Sequence, residues 1–334
     1  MKLIRQLLQL SLLVVLAPIL QAVESTSIDS GLVALEVGPY TVLGYVPDNP
    51  DGELLPLVVN LHPTGGSGLS VINRSSHVAE KHGFAMIAPT GVIGPIRDGW
   101  TWNVPGVPTF GSGNYPPDDA RDDVAFISSA IDEMKKTVKI DKSRIYVFGF
   151  SGGGRMASHL ACALSDRIAA IVAFGGIRFS KASDTALGLP RAVECKPGRA
   201  IPIVAIHGYW DTINVWHEKA LGKTPFINVQ TNEHCIAEAP QPGASWSYAG
   251  ETALARWIDF NGCNKEPQIK SLESGVERYD YLNGRGGSSV SLVLFSDMGH
   301  LVPGYTHDFL PGQESASKIN GYSLAWDMVK DFRR

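Results

Sequence analysis

The chain has 334 residues, 44% of them hydrophobic and 19% charged, with a formal net charge of −4. That is ample for one large core, and an acidic, mixed surface argues against nucleic acid or an anionic membrane as the main partner. The four cysteines are too widely spaced for a C-x-x-C zinc site and no H-E-x-x-H occurs, so no metal is expected.

The chain opens on MKLIRQLLQLSLLVVLAPILQA, in which Lys2 and Arg5 precede an apolar run that ends near the small residue Ala22. This is the pattern of a secretory signal peptide, although Leu20 fits poorly upstream of the cut. A membrane anchor is the competing reading, but the run is shorter than the ~20 apolar residues a span needs and Pro18 interrupts it. The expectation is cleavage near Ala22, leaving residues 23–334 as a soluble, secreted catalytic domain with no membrane partner. Cys162, Cys195, Cys235 and Cys263 all lie in that part, and an even count in a secreted chain suggests two disulfides. NRS at Asn73 is the one N-glycosylation sequon.

Apolar runs rich in valine and isoleucine then recur: YTVLGYV, LPLVVNLH, FAMIAP, RIYVFGF, IAAIVAFGG, IPIVAIHG and VSLVLFS. The later ones are apolar on successive residues, as strands buried on both faces are. Between them, Val124, Ile127, Ile131, Met134 and Val138 recur at helical steps behind Asp122 and Asp123, which suit a helix N-terminus. Met156, Leu160 and Leu164 line a further helix. Alternating strand and helix predicts a mostly parallel central sheet with helices on both faces, opened by antiparallel strands, in a single α/β domain. Two irregular stretches, residues 95–120 and 210–246, are long enough to be walls of a cleft.

RIYVFGF runs straight into Ser151, with Gly149 on one side and Gly152 and Gly153 on the other. A strand that turns this sharply into a helix strains the residue at its apex. That residue's side chain then faces the positive end of the helix, as in the nucleophile elbow of the α/β-hydrolase fold. A serine helix cap is the bland alternative, and the missing lysine of G-x-x-x-x-G-K-[ST] counts against a phosphate loop. A serine nucleophile needs a base and an orienting acid, in the order Ser, Asp, His for this fold. Asp211 follows one strand and His300 another, with Asp297 and Asp327 as rival acids and His307 as a rival base. The other histidines are read as surface or packing residues. LHPTGGSG supplies an early loop for a second oxyanion donor; Pro63 has no N–H, which leaves Thr64 together with Gly152.

Taken together, LPLVVNLHPTGGSG, WNVPG, DDVAFISSAID, the serine segment, CKPGRAIPIVAIHGYWDT, WIDFNGC and DMGHLVPG resemble the secreted esterases of the poly(3-hydroxybutyrate) depolymerase and feruloyl esterase type. The resemblance implies Ser151, Asp211 and His300 as a triad. It also implies ester substrates that include polyesters, hydroxycinnamoyl or acetyl groups on plant polysaccharide, and small synthetic esters. Two departures stand out. Leu301 and Val302 precede Pro303 and Gly304 where the family usually has tryptophan, and Gly152 stands where many members have asparagine.

The expected function is a serine carboxylesterase that works through an acyl-enzyme with no cofactor, on feruloyl or acetyl esters ahead of polyester. That order follows from Trp100, Trp102 and Trp210, read as an aromatic cleft for a flat acyl group or a sugar ring, and from the lack of a separate polymer-binding segment. An inactive hydrolase fold used for binding, and a serine peptidase of the same fold, are the rival functions. The expected pairings are Cys162 with Cys195 and Cys235 with Cys263. The first two could meet on one side of the sheet, and the second two flank the YAGETALARWIDFNG helix.

Overall fold

Strands β3 (Leu55–Leu61), β7 (Ile140–Phe150), β8 (Ala170–Phe174) and β9 (Ile203–Gly208) carry the longest apolar runs, and they form the middle of the sheet. They belong to a computed structural model that describes residues 31–49, 51–96, 99–107, 115–181, 183–184, 192–217, 223–228, 233–238, 248–305 and 315–334. The expected leader and His307 lie outside the described residues.

The remaining elements of the main sheet are β1 (Leu32–Val37), β2 (Tyr40–Tyr45), β4 (Ala85–Ala88), β12 (Gln268–Glu273), β13 (Val276–Tyr281) and β14 (Val290–Phe295). Its ten strands run in the order β1-β2-β4-β3-β7-β8-β9-β14-β13-β12. From β4 to β14 all neighbours are parallel, while an antiparallel pair closes each edge. The sheet is therefore mostly parallel, as its central runs imply.

Successive side chains of these strands enter opposite cores. Ile145 and Val147 of β7 join Ile171 and Ala173 of β8 on one face, and Tyr146 and Phe148 join Val172 and Phe174 on the other. The first face is covered by α2 (Asp123–Thr137), α3 (Gly152–Ala163) and α4 (Gly250–Asn261), and the second by α1 (Gly68–His82) and α5 (Gly321–Val329). Helix α2 starts where the charge pattern puts it: the Asp122 carboxylate accepts from the Ala125 N–H at 3.0 Å. Leu301 and Val302 are buried in the second core with Tyr322 and Trp326 of α5, which is what their apolar character permits where a tryptophan is absent.

Three differences from the sequence reading concern the edges and loops. The strands β12 and β13, QIKSLE and VERYDY, carry charges, the first largely exposed and the second mostly half-buried, so they give no apolar signal. The stretches read as irregular contain two small hairpins, β5 (Ile93–Ile96) with β6 (Gly99–Thr101), and β10 (Lys223–Asn228) with β11 (Glu233–Glu238). Pro95 and Pro225 sit inside these short runs, which demotes them as strands in a sequence reading.

The cysteine scheme holds in part. Cys162 of α3 is bonded to Cys195, with Cα atoms 5.1 Å apart. The expected Cys235–Cys263 bridge is not formed: Cys263 is a free, buried thiol. It follows the left-handed Gly262 that ends α4 and packs so tightly on Gly284 that a Cβ there would lie 2.8 Å from its sulfur. The Cys235 side chain lies outside the described residues.

Candidate active site

The parallel strands all point one way, and their C-terminal ends deliver every residue of the candidate site. Ser151 follows β7, Asp211 follows β9, His300 follows β14, Thr64 follows β3 and Gly175 follows β8. This is the edge at which parallel α/β sheets bind ligands.

Ser151 has φ 53 and ψ −113, a backbone state disfavoured for any residue with a Cβ. The turn is built to hold it there. Its N–H donates to the Phe174 carbonyl at 2.9 Å, and its own carbonyl accepts from the Arg155 N–H at 3.0 Å as α3 begins. Gly149 and Gly153 allow the close approach: a Cβ on Gly149 would lie 2.2 Å from the Gly153 carbonyl oxygen, and one on Gly153 would lie 2.1 Å from that of Leu61.

The His300 Nδ1–H donates to Asp211 Oδ2 at 2.7 Å, which leaves Nε2 as the nitrogen that takes a proton. His300 and Asp211 are only 4% and 1% exposed. The imidazole also lies against the ring of Phe150, the residue before Ser151, with centroids 4.8 Å apart. The other Asp211 oxygen, Oδ1, accepts from the N–H groups of Ile213 at 2.8 Å and Asn214 at 2.6 Å. Burial pushes the Asp211 carboxyl upward. The electrostatic pull and hydrogen bond of His300, the electrostatic pull of the nearby His207 ring and the Asn214 N–H outweigh it and hold the group below the usual carboxylate range.

The rival acids are placed elsewhere. Asp297 accepts from Ser315 Oγ and the Ala316 N–H at 2.7 and 2.9 Å, and Asp327 pairs with Lys330 on α5 at 2.7 Å.

Thr64 and Gly152 are neighbours: a Cβ built on Gly152 would fall 2.9 Å from the Thr64 nitrogen and 2.4 Å from its Oγ1. A side chain larger than hydrogen at Gly152 would displace Thr64. The loop that carries Thr64 is held by His62, whose Nδ1–H donates to the Pro63 carbonyl at 2.8 Å while Nε2 accepts from the Gly91 N–H at 2.9 Å. Burial drops the His62 pKa to about 4, so the ring is neutral and keeps that tautomer.

The aromatic wall needs one correction. Trp102 is 2% exposed, stacks on His62 with centroids 4.6 Å apart, and donates its indole N–H to the His62 carbonyl at 2.8 Å. It is a support beneath the loop rather than a cleft surface, because a buried indole N–H needs a fixed acceptor. Trp100 is 37% exposed on β6, where its backbone bridges to Gly66. Trp210 is half-buried, its indole N–H on the Ser296 carbonyl at 2.8 Å. Asn73 is exposed on α1.

Three residues of the site have no sequence motif of their own. Gly175 has φ 48, and a Cβ on it would lie 3.0 Å from Asp211 Oδ2 and 3.3 Å from His300 Nδ1. Asn214 donates its side-chain N–H to the Gly175 carbonyl and accepts from Arg155 Nη2 at 2.7 Å. His207 of β9, four residues before Asp211, lies against the acid as well. The only advance signal was the paired glycine after β8 and the histidine at the end of β9. Among the described residues no group of His, Cys, Asp and Glu is arranged to hold a metal ion.

A strained serine after a central parallel strand, with a carboxylate-bound histidine at the same sheet edge, defines an α/β-hydrolase fold. Residues 48–238 match the phospholipase/carboxylesterase family, and the chain belongs to that family. Feruloyl esterase B of Piromyces equi is 27% identical over 279 residues, 83% of this chain and 42% of that protein. The chain thus spans less than half the length of that relative. Feruloyl esterase B of Thermothelomyces thermophilus is 30% identical over 232 residues, 69% of this chain and 73% of that protein. Among solved structures, an acetyl xylan esterase from Aspergillus awamori superimposes with a TM-score of 0.51 at 16% identity, over 79% of this chain and 89% of that one, a likeness of fold.

Proposed function

We propose that this chain is a secreted serine carboxylesterase that releases hydroxycinnamoyl or acetyl groups from plant polysaccharide through an acyl-enzyme on Ser151. The observation that carries the reading is the buried 2.7 Å bond from His300 to Asp211 at the sheet edge where the strained Ser151 stands. The Ser151 Oγ attacks the ester carbonyl carbon while His300 Nε2 takes the hydroxyl proton, and negative charge gathers on the former carbonyl oxygen. The backbone N–H groups of Thr64 and Gly152, residues that pack against each other, receive that charge. Collapse of the intermediate breaks the bond to the alcohol oxygen, to which His300 returns the proton. Water then attacks the acyl-serine by the same route, its proton passing through His300 to the Ser151 oxygen as the free acid leaves. Asp211 holds the imidazole in the required tautomer and offsets its transient charge.

The names of the two feruloyl esterase relatives and of the acetyl xylan esterase support the substrate class. Exposed Trp100 and half-buried Trp210 offer flat surfaces near the sheet edge, although the burial of Trp102 removes the third. Purified protein given methyl hydroxycinnamates, acetylated xylan and poly(3-hydroxybutyrate) film should hydrolyse the first two faster. Clearing of the film with ferulate and acetyl-xylan esters untouched would make it a polyester depolymerase, and turnover of amides in preference to esters would make it a peptidase.

A further inference from the structure

His207 is the penultimate residue of β9, four before Asp211, and its ring is 1% exposed. Its Nε2 lies 2.7 Å from the Asn214 carbonyl oxygen and 3.4 Å from Asp211 Oδ2, the same oxygen that His300 holds at 2.7 Å. A carbonyl only accepts, so Nε2 carries the proton. Nδ1 is buried and has no hydrogen-bond partner among the described residues, which fits a ring with no proton there. Trp216 packs on the ring with centroids 5.0 Å apart and keeps water off it. Burial moves the imidazole below its ordinary range in spite of Asp211 and the Asn214 carbonyl, so the ring stays neutral.

We propose that His207, whose Nε2–H donates to the Asn214 carbonyl and whose Nε2 lies 3.4 Å from Asp211 Oδ2, is a positioning residue that sets how strongly Asp211 attracts the proton held by His300. The bond to the carbonyl fixes the ring. The positive end of the ring's N–H dipole is thereby kept near the carboxylate oxygen, with 3.4 Å from nitrogen to oxygen, and weakens its pull on the His300 imidazolium. The other charged groups around the acid are Arg155 of α3 and Arg178 after β8, both on the Asn214 amide oxygen at 2.7 and 3.4 Å. His217 and Glu251, paired with each other at 2.9 Å, flank Trp216 and Gly250 in sequence. Asp211 Oδ2 accepts from His300 at 2.7 Å, and His207 Nε2 approaches the same oxygen to 3.4 Å.

The inference rests on the triad reading, and its test is chosen to fail separately from it. In ¹⁵N-labelled wild-type protein at neutral pH, the His207 ring should show a protonated Nε2 and a bare Nδ1, a readout that needs no turnover. In the His207→Leu variant, the acid limb of kcat/KM should move up by roughly half a pH unit or more, with kcat reduced about tenfold and KM little changed. His207→Gln retains an N–H at a similar reach and should restore the limb to within a few tenths of a pH unit. An unmoved limb in His207→Leu, even with lowered kcat, would reduce His207 to packing, as would a protonated Nδ1 in the wild type. If His207→Leu does not fold, the wild-type spectrum and the Gln variant decide. Persistent turnover in Ser151→Ala would instead remove the triad reading while leaving the tautomer measurement valid.

Discussion

Replacing Ser151 with Ala removes only an oxygen and keeps the Cβ, so the strained backbone at φ 53 is no more strained than before. The variant should fold normally and lose roughly 10⁴- to 10⁶-fold in kcat. Asp211 and Asp297 provide an internal comparison, because only the former touches His300. Asp211→Asn should therefore cost several orders of magnitude in kcat with Asp297→Asn close to wild type; the reverse order would move the acid. Gly175→Ala tests the shape of the site, since the new methyl would sit 3.0 Å from Asp211 Oδ2 on a residue with φ 48. A displacement of the acid by a fraction of an ångström should lower kcat about 100-fold, while circular dichroism stays native. Full activity in that variant would show that the acid has slack. Ser151, Asp211 and His300 were legible in the sequence because each follows a strand with a strong apolar signature. Gly175, Asn214 and His207 were not, since their roles arise only when the ends of β8 and β9 meet the segment carrying His300.

At the scale of elements, the central strands were legible from unbroken apolar runs and α2 from its spacing. The edge pair β12 and β13 was hidden by its charges. The bond from Cys162 on α3 to Cys195 closes a separation of 33 residues and ties the segment before β9 to the nucleophile helix. Replacing both cysteines with Ala should lower the free energy of unfolding by about 3 kcal/mol, measured by urea denaturation. An unchanged midpoint would mean that the segment is held without the bond. In the oxidised protein, one thiol, that of Cys263, should resist alkylation until the chain unfolds, because it is buried beside Gly284.

The whole molecule carries several histidines that are neutral because they are buried, and this sets its response to acid. His62 falls from 6.5 to about 4, and burial lowers His207 and His159 as well. Above pH 6.5 neither the folded nor the unfolded chain protonates His62, so it contributes no pH dependence there. Between 6.5 and about 4 the unfolded chain binds a proton that the folded chain refuses, so stability falls as the pH drops. The loss from His62 alone is about 3 kcal/mol by the lower end of that window, and it levels off below. Urea midpoints that stay constant across the window would contradict a neutral His62 and with it the fixed geometry of the Thr64 loop. Whether Ser151 is an activated nucleophile is read directly by reacting the protein with a fluorophosphonate and locating the adduct by peptide mass spectrometry. A single adduct is expected on Ser151, lost in both Ser151→Ala and His300→Ala; an unlabelled Ser151 in protein that still hydrolyses esters would rule out that role.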